Sequence, residues 1–171
     1  SKSLMVNKGF KNLGAKKTAS KLSKLNFKIP LGISIGQTNQ RGKKIERSEI
    51  RRRRTAILDI LSAFKVFEDS NIKNLPRRRR VAYYELNISC PNLYGNISFY
   101  VQKNLDELLS ATDKLKLTKP IFIKMPINET DQQTLKMLDV ILRHKVAGVI
   151  FGNLQKDRKN PEIKKEEIKW K

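Results

Sequence analysis

PIFIKMP, residues 120–126, is a short apolar run with proline at both ends. Proline fixes its own φ and cannot donate into a sheet ladder, so the two prolines mark where a strand starts and stops. Upstream, Leu105, Leu108, Leu109, Thr112 and Leu115 recur at helical spacing. Asp106 and Glu107 are expected in the first turn of that helix, where the dipole favours acids. Downstream, Thr130 or Asp131 can cap a helix carrying Leu135, Leu138, Ile141 and Leu142. VAGVIFGN (146–153) then reads as another strand.

The same alternation extends towards the N-terminus. Ala15, Ala19, Leu22 and Leu25 fall at helical spacing, and IPLGISIG (29–36) reads as a buried strand. Ile57, Ile60, Leu61, Phe64 and Phe67 line one face of a helix expected over 55–67, and VAYYELNIS (81–89) is strand-like. Helix and strand alternate throughout, which implies parallel strands joined by crossover helices. The expected fold class is α/β, with parallel β/α units amounting to about half of a TIM (β/α)8 barrel. A four-stranded open α/β sheet satisfies the same periodicity. Residues 1–154 read as this partial barrel and residues 155–171 as a charged tail.

A chain of 171 residues fits one domain with a real core. Its single cysteine excludes an internal disulfide and a Cys-rich zinc site, and no metal is expected. A reducing, cytoplasmic compartment is the default for such cysteine usage. No run of roughly 18 apolar residues is present, so no transmembrane segment is expected, and no basic-then-apolar leader is visible.

Charge is the unusual feature. Lysine and arginine number 37 against 16 acids, a formal net charge of +21. Such a balance favours anionic partners, nucleic acid or acidic lipid headgroups. Most single lysines read as a solvated surface. Two tetra-arginine runs stand apart: Arg51, Arg52, Arg53 and Arg54, closing a basic segment 41–54, and Arg77, Arg78, Arg79 and Arg80. The first run is expected at the start of the helix 55–67, where positive charge opposes the dipole, and the second in the loop before strand 81–89. Neither reads as assisting the fold. Solvated arginines and phosphate contacts both remain open, so all eight are candidates for binding nucleic acid or another polyanion.

The strand 81–89 runs into NISCPN (87–92), which sets Cys90 between two asparagines. Taken alone, a lone cysteine reads as a small buried hydrophobe. However, this segment resembles the active-site segment of dihydroorotate dehydrogenases, flavin enzymes of pyrimidine synthesis built on an eight-fold β/α barrel. Other segments resemble the same family in the same order: VNKGFKNLGAKKTASKL (6–22), PLGISIGQTN (30–39), PIFIKMP (120–126) and GVIFGN (148–153).

The resemblance implies FMN as cofactor and a dihydroorotate-type pyrimidine as substrate. It implies Cys90 as the base that takes a proton from a ring carbon, while a hydride leaves the neighbouring carbon. A cysteine at this position marks the soluble class of the family. Asn7, Asn87, Asn92 and Asn153 would hold the pyrimidine, since amides both donate and accept hydrogen bonds. Lys124 would stand beside the flavin and stabilise negative charge on its reduced form.

The pattern also departs from the family. NKGFKN lacks the methionine before glycine, and Asn153 is followed by LQKDR instead of a small hydroxyl residue. The Gly-rich turns that bind the flavin phosphate have no counterpart, so the resemblance covers only part of the barrel. A half barrel leaves strand edges open and calls for a homo-oligomer or a second chain to complete it. A catalytic flavoprotein, a shortened chain that is inactive alone, a basic fragment binding RNA or another polyanion, and an assembly subunit are the readings this leaves.

Overall fold

The computed structural model describes residues 12–38, 46–70, 81–89 and 97–152. Its elements alternate without exception: α1 (Ala15–Leu22), β1 (Leu31–Ile35), α2 (Glu49–Asp69), β2 (Val81–Asn87), α3 (Gln102–Asp113), β3 (Ile121–Met125), α4 (Asp131–Ile141) and β4 (Gly148–Phe151). The four strands form one sheet in the order β1-β2-β3-β4, each pair parallel. A doubly wound open sheet reverses its strand order at a switch point. Here every strand lies beside its predecessor, as in a barrel wound in one direction.

Burial alternates along the strands and supports that arrangement. Ile33, Ile35, Tyr84, Leu86, Ile121, Ile123 and Met125 are buried in one core with Ile60 and Phe64 of α2, Leu105 and Leu108 of α3, and Met137 and Val140 of α4. Each such Leu or Phe contributes about 1.5–3 kcal/mol by leaving water. The alternate positions Tyr83, Glu85, Phe122 and Lys124 are half-buried and Ser34 is exposed, so the helices cover one face of the sheet. This is a fragment consistent with a partial (β/α)8 barrel.

Three details differ from the sequence reading. Helix α2 begins at Glu49, not at 55, because the Ser48 side chain accepts from the backbone N–H of Arg51 and caps it there. The arginine run therefore lies inside the helix. Helix α3 has no acid in its first turn; Asp106 and Glu107 lie further along and make tertiary contacts with Arg143 and Arg53. In α4, Thr130 caps as expected, through the backbone N–H of Gln133, but the apolar stripe is rotated. Met137, Val140 and Ile141 are buried, whereas Leu135 and Leu142 are 60% and 81% exposed.

Asn7, Cys90, Asn92, Asn153, Arg77, Arg78, Arg79 and Arg80 lie outside the described residues, as do the tail 155–171 and part of the basic segment 41–54. Among the described residues, no helix is long and apolar enough to cross a membrane.

Candidate active site

Asn87 is the last residue of β2, and its partner across the parallel ladder is Lys124 of β3, which in turn faces Ile150 of β4. Register partners in a sheet project from the same face, so the Asn87 amide and the Lys124 ammonium are neighbours at the C-terminal ends of their strands. In β/α barrels that end carries the active site, because the loops leaving it can vary without disturbing the core. Asn87 is buried, and its Oδ1 accepts from the backbone N–H of Ser89 at 3.3 Å, which shapes the turn leading to Cys90. Its amide nitrogen makes no hydrogen bond among the described residues. Below this pair, Glu85 accepts from the Ser34 hydroxyl at 2.7 Å, and Tyr83 meets Phe122 edge to face with ring centroids 5.7 Å apart.

The strands approach closely at this end. A Cβ added at Gly36 would lie 3.1 Å from the Asn87 carbonyl oxygen, so a side chain there would press on the backbone that positions Asn87.

Three side chains that the sequence reading passed over hold the exit of the loop containing Cys90. Gln37, buried just past β1, accepts from the backbone N–H of Ile97 at 3.2 Å. Asn104 of α3 donates to the carbonyl oxygen of Ser98 at 2.9 Å, and Gln133 of α4 donates to that of Tyr100 at 2.6 Å. Three elements thus converge on residues 97–100. The only signal in the sequence was three amides next to apolar runs, which is too common to single them out. Thr38 meanwhile donates through its backbone N–H and its hydroxyl to the Asp59 carboxylate, tying the end of β1 to α2.

The described arginines separate by environment. Arg51 and Arg54 are exposed. Arg53 is withdrawn: its side chain is 12% exposed, its Nε lies 2.6 Å from Glu107, and its Nη1 donates to Asn104. The expectation that the run does not assist the fold fails at Arg53, because Glu107 of α3 supplies a counter-charge that the local sequence does not reveal. His144 also has partners distant in sequence. Its ring nitrogens lie 2.9 Å from Asp113 and 3.4 Å from Asp106, so it bridges two carboxylates of α3.

The sequence profile of the dihydroorotate dehydrogenase family matches residues 1–171. The chain belongs to the dihydroorotate dehydrogenase family. Relatives named dihydroorotate dehydrogenase (quinone) include that of Actinobacillus pleuropneumoniae serotype 7, 29% identical over 154 residues that cover 85% of this chain and 40% of the relative. The protein of that name from a Synechococcus species is 27% identical over 154 residues, covering 89% of this chain and 35% of its own. The one from Cronobacter sakazakii is 25% identical over 163 residues, covering 90% and 43%. The chain therefore spans about 40% of the length of the curated relatives it matches. Their names specify quinone, whereas the cysteine in NISCPN resembles the soluble class. Family membership rests on the whole chain.

Proposed function

We propose that this chain carries the substrate-facing part of an FMN-dependent dihydroorotate dehydrogenase, which oxidises dihydroorotate to orotate in pyrimidine synthesis. The observation that carries the reading is the ladder pair Asn87 and Lys124, a neutral amide beside a cation at the C-terminal strand ends. The two fit the ring portion of a flavin and a carboxylate-bearing pyrimidine. Among the described residues, Lys124 forms no ion pair and the Asn87 amide nitrogen is free to donate. FMN, when bound, supplies the acceptor for the hydride.

The chain's own residues do the rest. Cys90, three positions beyond Asn87, takes the proton from the ring carbon next to the one that loses hydride. The thiolate, not the thiol, is the form of a cysteine that accepts a proton. Asn7, Asn87, Asn92 and Asn153 orient the pyrimidine, and Lys124 opposes charge developing on the ring system it faces. Proton removal and reoxidation of the cofactor are separate half-reactions. A cysteine base is therefore compatible with the quinone acceptor named for the relatives. The outer strands β1 and β4 call for neighbours, which the remaining strands of an eight-fold barrel would supply from the same polypeptide or from a second copy. The competing reading, a basic fragment that grips RNA through its arginine runs, is weakened because Arg53 is engaged with Glu107 and Asn104.

The test is titration of the purified chain with FMN, followed by dihydroorotate, monitoring flavin absorbance. Saturable binding and bleaching that Cys90→Ser slows by more than about a hundredfold would support the reading. Flavin binding without bleaching would place the missing chemistry on the rest of a longer polypeptide. Absence of flavin binding even when the chain is supplied with such a partner would overturn it.

A further inference from the structure

We propose that Ser34 is a positioning residue of the candidate site. Its hydroxyl holds the Glu85 carboxylate against β1 and so keeps Lys124 unpaired and available to an anionic ring; this role rests on the flavin contact proposed for Lys124. The four strands together carry two charged side chains, Glu85 of β2 and Lys124 of β3. In the ladder Glu85 faces Phe122, and Lys124, two residues further along β3, faces Asn87. Residues two apart on a strand point to the same face. The two charges, opposite in sign, therefore project from the face of the sheet that the helices leave open.

Such neighbours ordinarily pair. Diagonal positions on adjacent strands lie about 7–8 Å apart, within reach of two long side chains. Both residues are half-buried, and partial burial strengthens the attraction between opposite charges. Yet among the described residues neither Glu85 nor Lys124 is in an ion pair.

What holds them apart lies on the other flank of β2. Ser34 of β1 is the register partner of Glu85 on the side away from β3. Its hydroxyl donates to Glu85 Oε1 at 2.7 Å, a short, charge-assisted bond that turns the carboxylate towards β1. The second carboxylate oxygen accepts no hydrogen bond among the described residues. Tyr83, next below Glu85 on the same face, lies across Gly32 and meets Phe122 edge to face. Aromatic rings thus lie below and beside Glu85, and Lys124, one layer higher, is the one cation of the four strands.

The consequence is chemical. A free ammonium offsets negative charge on a reduced flavin and donates a hydrogen bond to it. An ammonium bonded to a carboxylate has its charge largely cancelled, and an anionic ring must displace that carboxylate before it can bind. The Ser34 hydroxyl gives Glu85 another partner, so no displacement is needed. Without the hydroxyl, Lys124 is the cation within reach of the carboxylate, and the pair closes.

The experiment is zero-length carbodiimide coupling of the full chain, which joins a carboxylate to an amine only where the two touch. Peptide mass spectrometry quantifies the Glu85–Lys124 amide, and no flavin is needed for this readout. Little product is expected from the wild-type chain. Ser34→Ala raises the yield about tenfold, the shift that loss of one hydrogen bond to a charged group allows. Ser34→Thr, which keeps a hydroxyl, stays near the wild-type yield. In FMN titrations Ser34→Ala weakens binding by a similar factor, and Glu85→Gln added to it restores affinity, because the released side chain is no longer an anion. A serine that served the fold alone would lower the melting temperature and leave both readouts unchanged. An unchanged coupling yield in Ser34→Ala would overturn the proposal, as would a loss of flavin affinity that Glu85→Gln fails to restore. Absence of FMN binding in every variant, wild type included, would count against the flavin contact of Lys124 instead, and the coupling yields would still decide whether Ser34 separates the two charges.

Discussion

The side chain of Gln37, one residue past Gly36 at the end of β1, accepts a hydrogen bond from the backbone N–H of Ile97, 60 positions further along the chain. The amide is buried, so the bond is formed away from competing water. It fastens the exit of the loop that carries Cys90 to a strand end of the candidate site. Gln37→Leu would leave the Ile97 N–H buried without an acceptor, at a cost of about 1–3 kcal/mol. Chemical denaturation should report that loss, together with faster hydrogen exchange at the Ile97 amide. A stability unchanged within error would show that water replaces the glutamine.

Gly36 allows no substituent without a response from β2. With its Cβ 3.1 Å from the Asn87 carbonyl oxygen, Gly36→Ala forces two paired backbones apart by a few tenths of an ångström. A destabilisation of about 1 kcal/mol is expected, in the range of overpacking effects. Weaker flavin or orotate binding should accompany it, since Asn87 moves with its backbone. A purely structural effect would lower the melting temperature and leave ligand affinity unchanged.

Arg53 and Arg51 belong to one run but should behave differently. Arg53→Met removes a 2.6 Å contact to Glu107 and the donor to Asn104. Because Glu107 is 40% exposed, solvent screens part of the pair. The expected cost is about 1–2 kcal/mol, most of it from the hydrogen bonds. Arg51→Ala, at an exposed position, should stay within about 0.5 kcal/mol. Urea unfolding of both variants tests the contrast, and equal effects would refute the assignment of Arg53 to the fold.

Tyr84 gives the fold a limit in alkali. Burial first, then the hydrogen bond to and the charge of Glu68, push its ionisation well above the ordinary tyrosine value of 10.0. Below that ordinary value both folded and unfolded chains keep the proton, and the full contribution to stability is present. Above it the unfolded chain releases the proton while the folded chain retains it. Stability then falls by up to about 1.4 kcal/mol per pH unit. Tyr84→Phe should remove this component of the alkaline slope while costing about 1–2 kcal/mol near neutrality through the lost bond to Glu68. Denaturation at about pH 8 and about pH 11 compares the two slopes against the common background of lysine titration.

Lys124 faces Asn87 across the ladder and carries the proposed cofactor contact. Lys124→Met keeps the length and apolar stem of the side chain while removing its charge. Flavin affinity, or the reduction potential of bound flavin, should fall without loss of fold, whereas a structural lysine would affect thermal stability alone.

The amino-acid sequence by itself determined the alternating β/α order, the placement of the strands to within a few residues, and the family. These depend on local periodicity, turn residues and short segments that are legible one at a time. It also placed Asn87 and Lys124 at strand ends, because a strand's C-terminal boundary is marked by the residues after it.

Tertiary structure alone decided which face of a helix is buried and which polar groups meet. Leu135 and Leu142 are as apolar as Met137 and Val140, yet only the latter pair faces the sheet. Periodicity ranks overlapping stripes poorly when one helix has apolar residues on more than one side. Gln37 with Ile97, Arg53 with Glu107, and His144 between Asp106 and Asp113 join residues dozens of positions apart. Hydrogen bonds and ion pairs act over a few ångströms, and only the packed chain brings such groups that close.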